Sequence, residues 1–187
     1  MTCIAGIAQN GNVYMGGDSA AIGGWNLTIR KDRKVFRNGD FLIGGTSSFR
    51  MLQLLHHAFV PPVYDPAIDI EKFMATTFID AIRQCFKDGG YAKKTSEEES
   101  GGQFLVGFRG HLFDIQPDYQ VQEALDDYDA VGCGVEVALG SLYASGPTQD
   151  GGIIDPRRRV AMALEAAQHH NAGLRGPFYV EVLEVSS

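Results

Sequence analysis

Residues 1–20 read MTCIAGIAQNGNVYMGGDSA, and the stretch Thr2–Asp18 decides the fold. Two short apolar, glycine-rich segments, 3–8 and 12–17, flank Asn10-Gly11, the strongest short-range hairpin signal, because both residues tolerate the left-handed backbone of a tight turn. A two-residue loop makes Gln9 face Asn12, and that register carries Thr2 opposite Ser19 and Asp18 opposite Cys3. The Asp18 carboxylate then lies within about 5 to 8 Å of the first residues of the chain.

A second hairpin is expected downstream. Lys34-Val35-Phe36 and Phe41-Leu42-Ile43 flank Asn38-Gly39-Asp40, and Trp25–Ile29 reads as a further strand between the hairpins. An Asn38-Gly39 turn places Lys34 opposite Ile43 and diagonal to Gly45. Lys34 meets the Thr2 end if the two hairpins are neighbours in one sheet, a common arrangement of consecutive elements.

After Gly44-Gly45 the apolar period changes. Thr46, Ser47 and Ser48 are N-cap candidates for a helix whose inner face carries Met51, Leu52, Leu55, Ala58 and Phe59, ended by Pro61-Pro62. A longer helix presents Ile70, Phe73, Met74, Thr77, Phe78, Ala81, Ile82 and Cys85 at i, i+3, i+4 spacing and stops at Gly89-Gly90. Residues 92–102 carry mixed charge without an apolar anchor and read as an exposed loop or a mobile insertion, not a domain linker. Strands resume over 103–108 and 111–116 around Arg109-Gly110, then at 130–132. Two helices follow, around Val135–Leu142 and over Pro156–His170, and a strand over Phe178–Val185 closes the chain. This order predicts one α+β domain over 1–187, a four-layer αββα sandwich of two antiparallel sheets flanked by helix pairs.

Composition narrows the function classes. The 187 residues are 44% hydrophobic, enough for one sizeable core, and the net charge of -7 argues against a nucleic-acid or anionic-membrane surface. The basic run Arg157-Arg158-Arg159 follows Asp155-Pro156, an N-cap and first-turn signature, and reads as a solvated helix face. Cys3, Cys85 and Cys133 are too few for a disulfide framework and fit a reducing cytoplasm. No apolar run is long enough for a membrane span, and the start lacks the features of a signal peptide. His56-His57 and His169-His170 are adjacent pairs that point apart on a helix, so no metal or cofactor is expected. Cys133 is expected to pack as a small apolar group.

The Thr2 end can carry acyl-transfer chemistry without a histidine. Removal of Met1 by an aminopeptidase that tolerates a small second residue exposes an α-amine beside the Thr2 hydroxyl. With a pKa near 7.7 to 8.0, that amine is partly neutral at physiological pH and accepts the hydroxyl proton. Lys34 favours the neutral amine and the alkoxide, Asp18 orients Lys34, and the Gly45 N–H faces the developing oxyanion. Cys3 would need a second residue removed before it became terminal.

The chain resembles the N-terminal-nucleophile hydrolases, and among them the proteasome β-subunits and the HslV peptidases. The likeness rests on Thr2 at the processed end, "GGDSA" with Asp18, "RKDRKVF" with Lys34, "IGG" with Gly45, and the later turn "DAVGCG". Asp18 follows Thr2 by 16 residues and Lys34 follows Asp18 by 16. Cys133 stands where the family turn usually carries serine, Asn171 where it carries an acidic residue, and Leu174 where it often has serine. The resemblance implies a threonine endopeptidase acting on peptides or unfolded proteins inside a homo-oligomeric ring of roughly six or seven subunits, stacked in pairs. An ATP-dependent unfoldase is the implied partner. Ala21, Asp32, Thr46 and Arg50 are the implied lining of the pocket for the residue before the scissile bond. A non-catalytic ring or scaffold subunit and an amidase acting on a small amide are the alternatives.

Overall fold

The computed structural model describes residues 1–95, 98–147 and 152–184. Ser96 and Glu97 of the expected 92–102 loop, and Val185 of the expected last strand, lie outside the described residues. The first half runs β1 (Cys3–Gln9), β2 (Asn12–Gly17), β3 (Ala20–Gly23), β4 (Asn26–Ile29), β5 (Val35–Asn38), β6 (Phe41–Gly45), α1 (Phe49–His57), α2 (Ile70–Phe73) and α3 (Ile79–Asp88). The second runs β7 (Lys93–Thr95), β8 (Glu98–Ser100), β9 (Phe104–Phe108), β10 (His111–Ile115), β11 (Val121–Glu123), β12 (Tyr128–Gly132), α4 (Val135–Ala144), α5 (Pro156–His170) and β13 (Tyr179–Leu183).

The first hairpin forms in the expected register, with Gln9 opposite Asn12 and Ile4 opposite Gly17. Asn10 and Gly11 adopt φ of 54° and 77°, the type I′ geometry that follows the strand twist. This hairpin is the centre of one sheet, ordered β12-β1-β2-β13. The second hairpin belongs to the other sheet, ordered β11-β10-β9-β6-β5. The two hairpins therefore face each other across the sandwich, and are not neighbours in one sheet. Period-2 alternation explains the consequence: Cys3 packs under α4 and α5, while Thr2 shares the inter-sheet face with Ile4.

The second turn also differs from expectation. Val35 pairs with Gly44 and Asn38 with Phe41, so the loop is Gly39-Asp40 and Lys34 comes opposite Gly45 instead of Ile43. Gly39, at φ 57°, supplies the positive dihedral at the first loop position, and Asn38 is freed to donate its side-chain amide to the carbonyls of Leu55 and Phe59 at the end of α1.

Three apolar layers confirm the four-layer sandwich. Ile4, Val13, Met15, Val35, Leu42, Leu105, Leu112 and Val131 fill the space between the sheets. Phe41, Phe73, Phe78, Phe86, Phe104, Phe108 and Phe113 join one sheet to α1–α3, and Val160, Ala163, Leu164 and Ala167 of α5 cover the other. Ser48 caps α1 by accepting from Arg50 N, and Asp155 caps α5 by accepting from Arg158 N.

The expected long helix contains a π-helical stretch, Met74–Phe78, between α2 and α3. Met74, Phe78, Ile82 and Phe86 are all buried at successive i+4 spacing, which drifts by about 40° per step in a regular α-helix. The wider π turn offsets part of that drift and keeps the aromatic face on the sheet. Within 92–102 the chain forms the small hairpin β7–β8, held to α3 by Arg83 and Lys87 on Glu99. Of the arginine run, Arg158 pairs with Glu165 on the surface. Arg159 is instead buried, donating to the Leu142 carbonyl at 2.8 Å, which corrects the solvated-face reading for that residue.

Asp114 on β10 is buried without a cation partner among the described residues. Desolvation, reinforced by the Asp129 carboxylate, pushes it up to about 6, against the hydrogen bonds it accepts from Gln103, Gln116 and Gln122. The folded state thus holds this proton more tightly than the unfolded chain does, where the pKa is near 3.9. The resulting stability is fully present below about pH 4 and is lost as pH rises through about 6, a change of about 3 kcal/mol. Urea unfolding of wild type and Asp114→Asn across this window is expected to show that slope in wild type alone.

Candidate active site

Where the open ends of the β1–β2 and β5–β6 hairpins meet, Thr2, Asp18 and Lys34 converge. Each is 2 to 3% exposed. Lys34 Nζ donates three hydrogen bonds, to Thr2 Oγ1 at 2.9 Å, Asp18 Oδ1 at 2.8 Å and the Ala20 carbonyl at 2.7 Å. Asp18 is held in turn by the backbone N–H groups of Cys3 at 3.1 Å and Ala20 at 3.0 Å. Burial lowers the Lys34 pKa from its usual value, and Asp18 opposes that shift. Every ammonium proton has an acceptor, so the cation is retained in spite of burial.

The Thr2 backbone is fixed from a third direction. Cys133 N donates to the Thr2 carbonyl at 2.8 Å, and Thr2 N donates to Cys133 Sγ at 3.3 Å. Cys133 is exposed and lies against the nitrogen of Thr2, which corrects its reading as a packed apolar group. Gly132 precedes it at φ 103°, and a Cβ there would run into the Thr2 carbonyl oxygen and approach Thr46 Oγ1 at 3.2 Å. Only glycine allows this approach. Asn171, just past α5, donates Nδ2 to the Cys133 carbonyl at 2.6 Å, whereas Leu174 is buried under α5.

Gly45 holds a different position from the one expected. Its N–H donates to the Lys34 carbonyl at 3.1 Å as part of the β5–β6 pairing, so it is not presented to an oxyanion. The corrected register is the cause, since it makes Lys34 and Gly45 direct partners. Of the four expected pocket residues, Thr46 stands near Gly132, and Ala21 directly follows Ala20 in β3. Asp32 is exposed and held by Arg30 through two hydrogen bonds of 2.8 and 2.6 Å, which lower its pKa. Arg50 points away, to the Gly89 carbonyl at 3.4 Å.

Rival sites are weaker. Burial, then the Asp18 carboxylate, pushes the Cys3 thiol up to about 12, far from a thiolate at neutral pH. A cleft of about 670 Å³ lined by Ile7, Asp126, Asp127, Tyr128, Tyr143 and Arg159 lies at the Gln9 end of β1, opposite Thr2, and holds none of the trio. Among the described residues no three His, Cys, Asp or Glu side chains gather as metal ligands, and no helix is long and apolar enough to cross a membrane. Sequence reasoning missed the Ala20 carbonyl, a backbone acceptor without a side-chain signature, and Gly132, whose signal was the paired glycines of "GCG".

Together, the layers and sheet orders form a fold shared with solved proteasome/HslV-like structures. BPH of Thiobacillus denitrificans superposes with a TM-score of 0.80 at 20% identity, covering 99% of each chain. Its complex with epoxomicin gives 0.81 at 20% identity over 100% of each chain. Eukaryotic HslV from Trypanosoma brucei gives 0.67 at 18% identity, covering 98% of this chain and 99% of that one. Anbu from Yersinia bercovieri gives 0.65 at 13% identity, covering 97% and 81%. No family model and no curated protein matches the sequence.

Proposed function

We propose that the chain is a threonine-type peptidase whose nucleophile is Thr2 after removal of Met1. The observation that carries this reading is the buried Lys34 ammonium, 2.9 Å from Thr2 Oγ1 and 2.8 Å from Asp18 Oδ1. Met1 is 61% exposed and accessible to an aminopeptidase. The freed α-amine takes the proton of Oγ1, and Oγ1 attacks the peptide carbonyl carbon. Collapse of the tetrahedral intermediate breaks the C–N bond, with the proton passing to the leaving amine. Water, deprotonated by the same α-amine, then hydrolyses the Thr2 ester. With the Gly45 N–H committed to Lys34, the oxyanion donor is assigned to a backbone N–H of Ser47 or Ser48, in the turn that precedes α1.

Substrates are peptides or unfolded proteins, cleaved inside a homo-oligomeric ring in the cytoplasm and fed by an ATP-dependent unfoldase. The fold shared with BPH, HslV and Anbu supports this reading. Intact mass and labelling test it. Loss of one methionine, followed by one covalent adduct on Thr2 with a peptide epoxyketone or with the epoxomicin bound in the related BPH structure, is expected. Retained Met1 and no adduct would leave the scaffold alternative. Because Cys133 touches the Thr2 nitrogen and is exposed, iodoacetamide is expected to slow Thr2 labelling at least about tenfold, with Cys133→Ser resistant.

A further inference from the structure

We propose that Asp114 is a positioning residue for this site, holding the 46–48 turn beside Thr2 through Gln103. The inference rests on the threonine-peptidase reading. Asp114 is 3% exposed, and three carboxamides replace the cation it lacks among the described residues. Gln122 Nε2 donates to Oδ2 at 3.1 Å, Gln116 Nε2 donates to the same oxygen, and Gln103 Nε2 reaches Oδ2 at 3.2 Å and Oδ1 at 3.4 Å. A buried carboxylate is costly unless its lone pairs are satisfied, so this network holds all three side chains in place.

Of the three, Gln103 has backbone bonds to the site. Its N–H donates to Ser47 Oγ at 2.8 Å and its carbonyl accepts from Thr46 N at 3.3 Å. The chain lies flush there, since a Cβ on Gly102 would stand 2.8 Å from Ser47 Cβ and 2.5 Å from Met51 Sδ. Thr46 Oγ1 in turn lies near Gly132, where an added Cβ would meet both that hydroxyl, at 3.2 Å, and the Thr2 carbonyl oxygen. Gln103 is thus anchored at its side-chain end by Asp114 and at its backbone end by the turn. Gln116, just past β10, and Gln122, in β11, hold the same carboxylate, and β10 and β9 separate β11 from β6 and the 46–48 turn that follows it. A role confined to overall stability would make the three glutamines equivalent; a positioning role singles out Gln103.

Amide hydrogen exchange and peptide turnover of the full chain separate these roles. Asp114→Ala and Gln103→Ala are each expected to speed exchange of the 44–48 segment and lower kcat/KM by about tenfold, with the double variant no worse than Asp114→Ala alone. Gln122→Ala is expected to stay within about twofold of wild type on both readouts. Equal effects from Gln122→Ala and Gln103→Ala, or unchanged exchange in Asp114→Ala, would overturn the proposal. Asp114→Asn replaces Asp114→Ala if the latter does not fold. Should wild type show no turnover, the peptidase reading fails, while exchange alone still decides whether Asp114 holds the turn.

Discussion

Thr2→Ala is expected to abolish turnover of a fluorogenic peptide, by at least about 10⁴-fold, with assembly and fold intact. Alanine is also a small second residue, so Met1 is still removed and the α-amine is still exposed. The variant therefore isolates the hydroxyl from the amine. Lys34 keeps two of its three acceptors, Asp18 and the Ala20 carbonyl, so the stability cost is about 1 kcal/mol. Thr2→Ser is expected to retain activity. Turnover surviving in Thr2→Ala would transfer the chemistry to another group and refute the mechanism.

Lys34→Met carries the second large effect, and it acts on stability as well as rate. Removing the ammonium strands the Asp18 carboxylate, which is 2% exposed, with the N–H groups of Cys3 and Ala20 as its remaining partners. Breaking a buried pair from one side costs about 3 to 5 kcal/mol. Activity is expected to fall about 10² to 10⁴-fold, because the cation no longer favours the Thr2 alkoxide. Adding Asp18→Asn removes the stranded charge and is expected to restore much of the stability without the activity. Urea midpoints and kcat/KM for the two single variants and the double variant measure both parts. Recovery of activity in the double variant would show that the pair serves folding alone.

Much of the architecture was legible because it is encoded locally. The Asn10-Gly11 turn and period-2 burial set the first hairpin and brought Asp18 to Cys3. The Asp155-Pro156 cap and the apolar faces of α1, α4 and α5 marked the helices. Where local signals were ambiguous, packing decided. Asn38-Gly39 and Gly39-Asp40 both make two-residue turns, and the first would have shifted Lys34 by two residues along β6. The contacts of Asn38 with Leu55 and Phe59 select the second. That shift also removed the Gly45 N–H from the oxyanion role.

By itself, the sequence determined the elements and the first-hairpin register that brings Asp18 to the chain start, because turn chemistry and side-chain period act over a few residues. Tertiary structure decided that the two hairpins meet face to face, that Cys133 touches the Thr2 nitrogen, and that Asp114 reaches the 46–48 turn through Gln103. The physical reason is separation along the chain. Contacts between residues tens to more than a hundred positions apart depend on how the sheets stack and which strand edges adjoin, and neither is written in any local pattern.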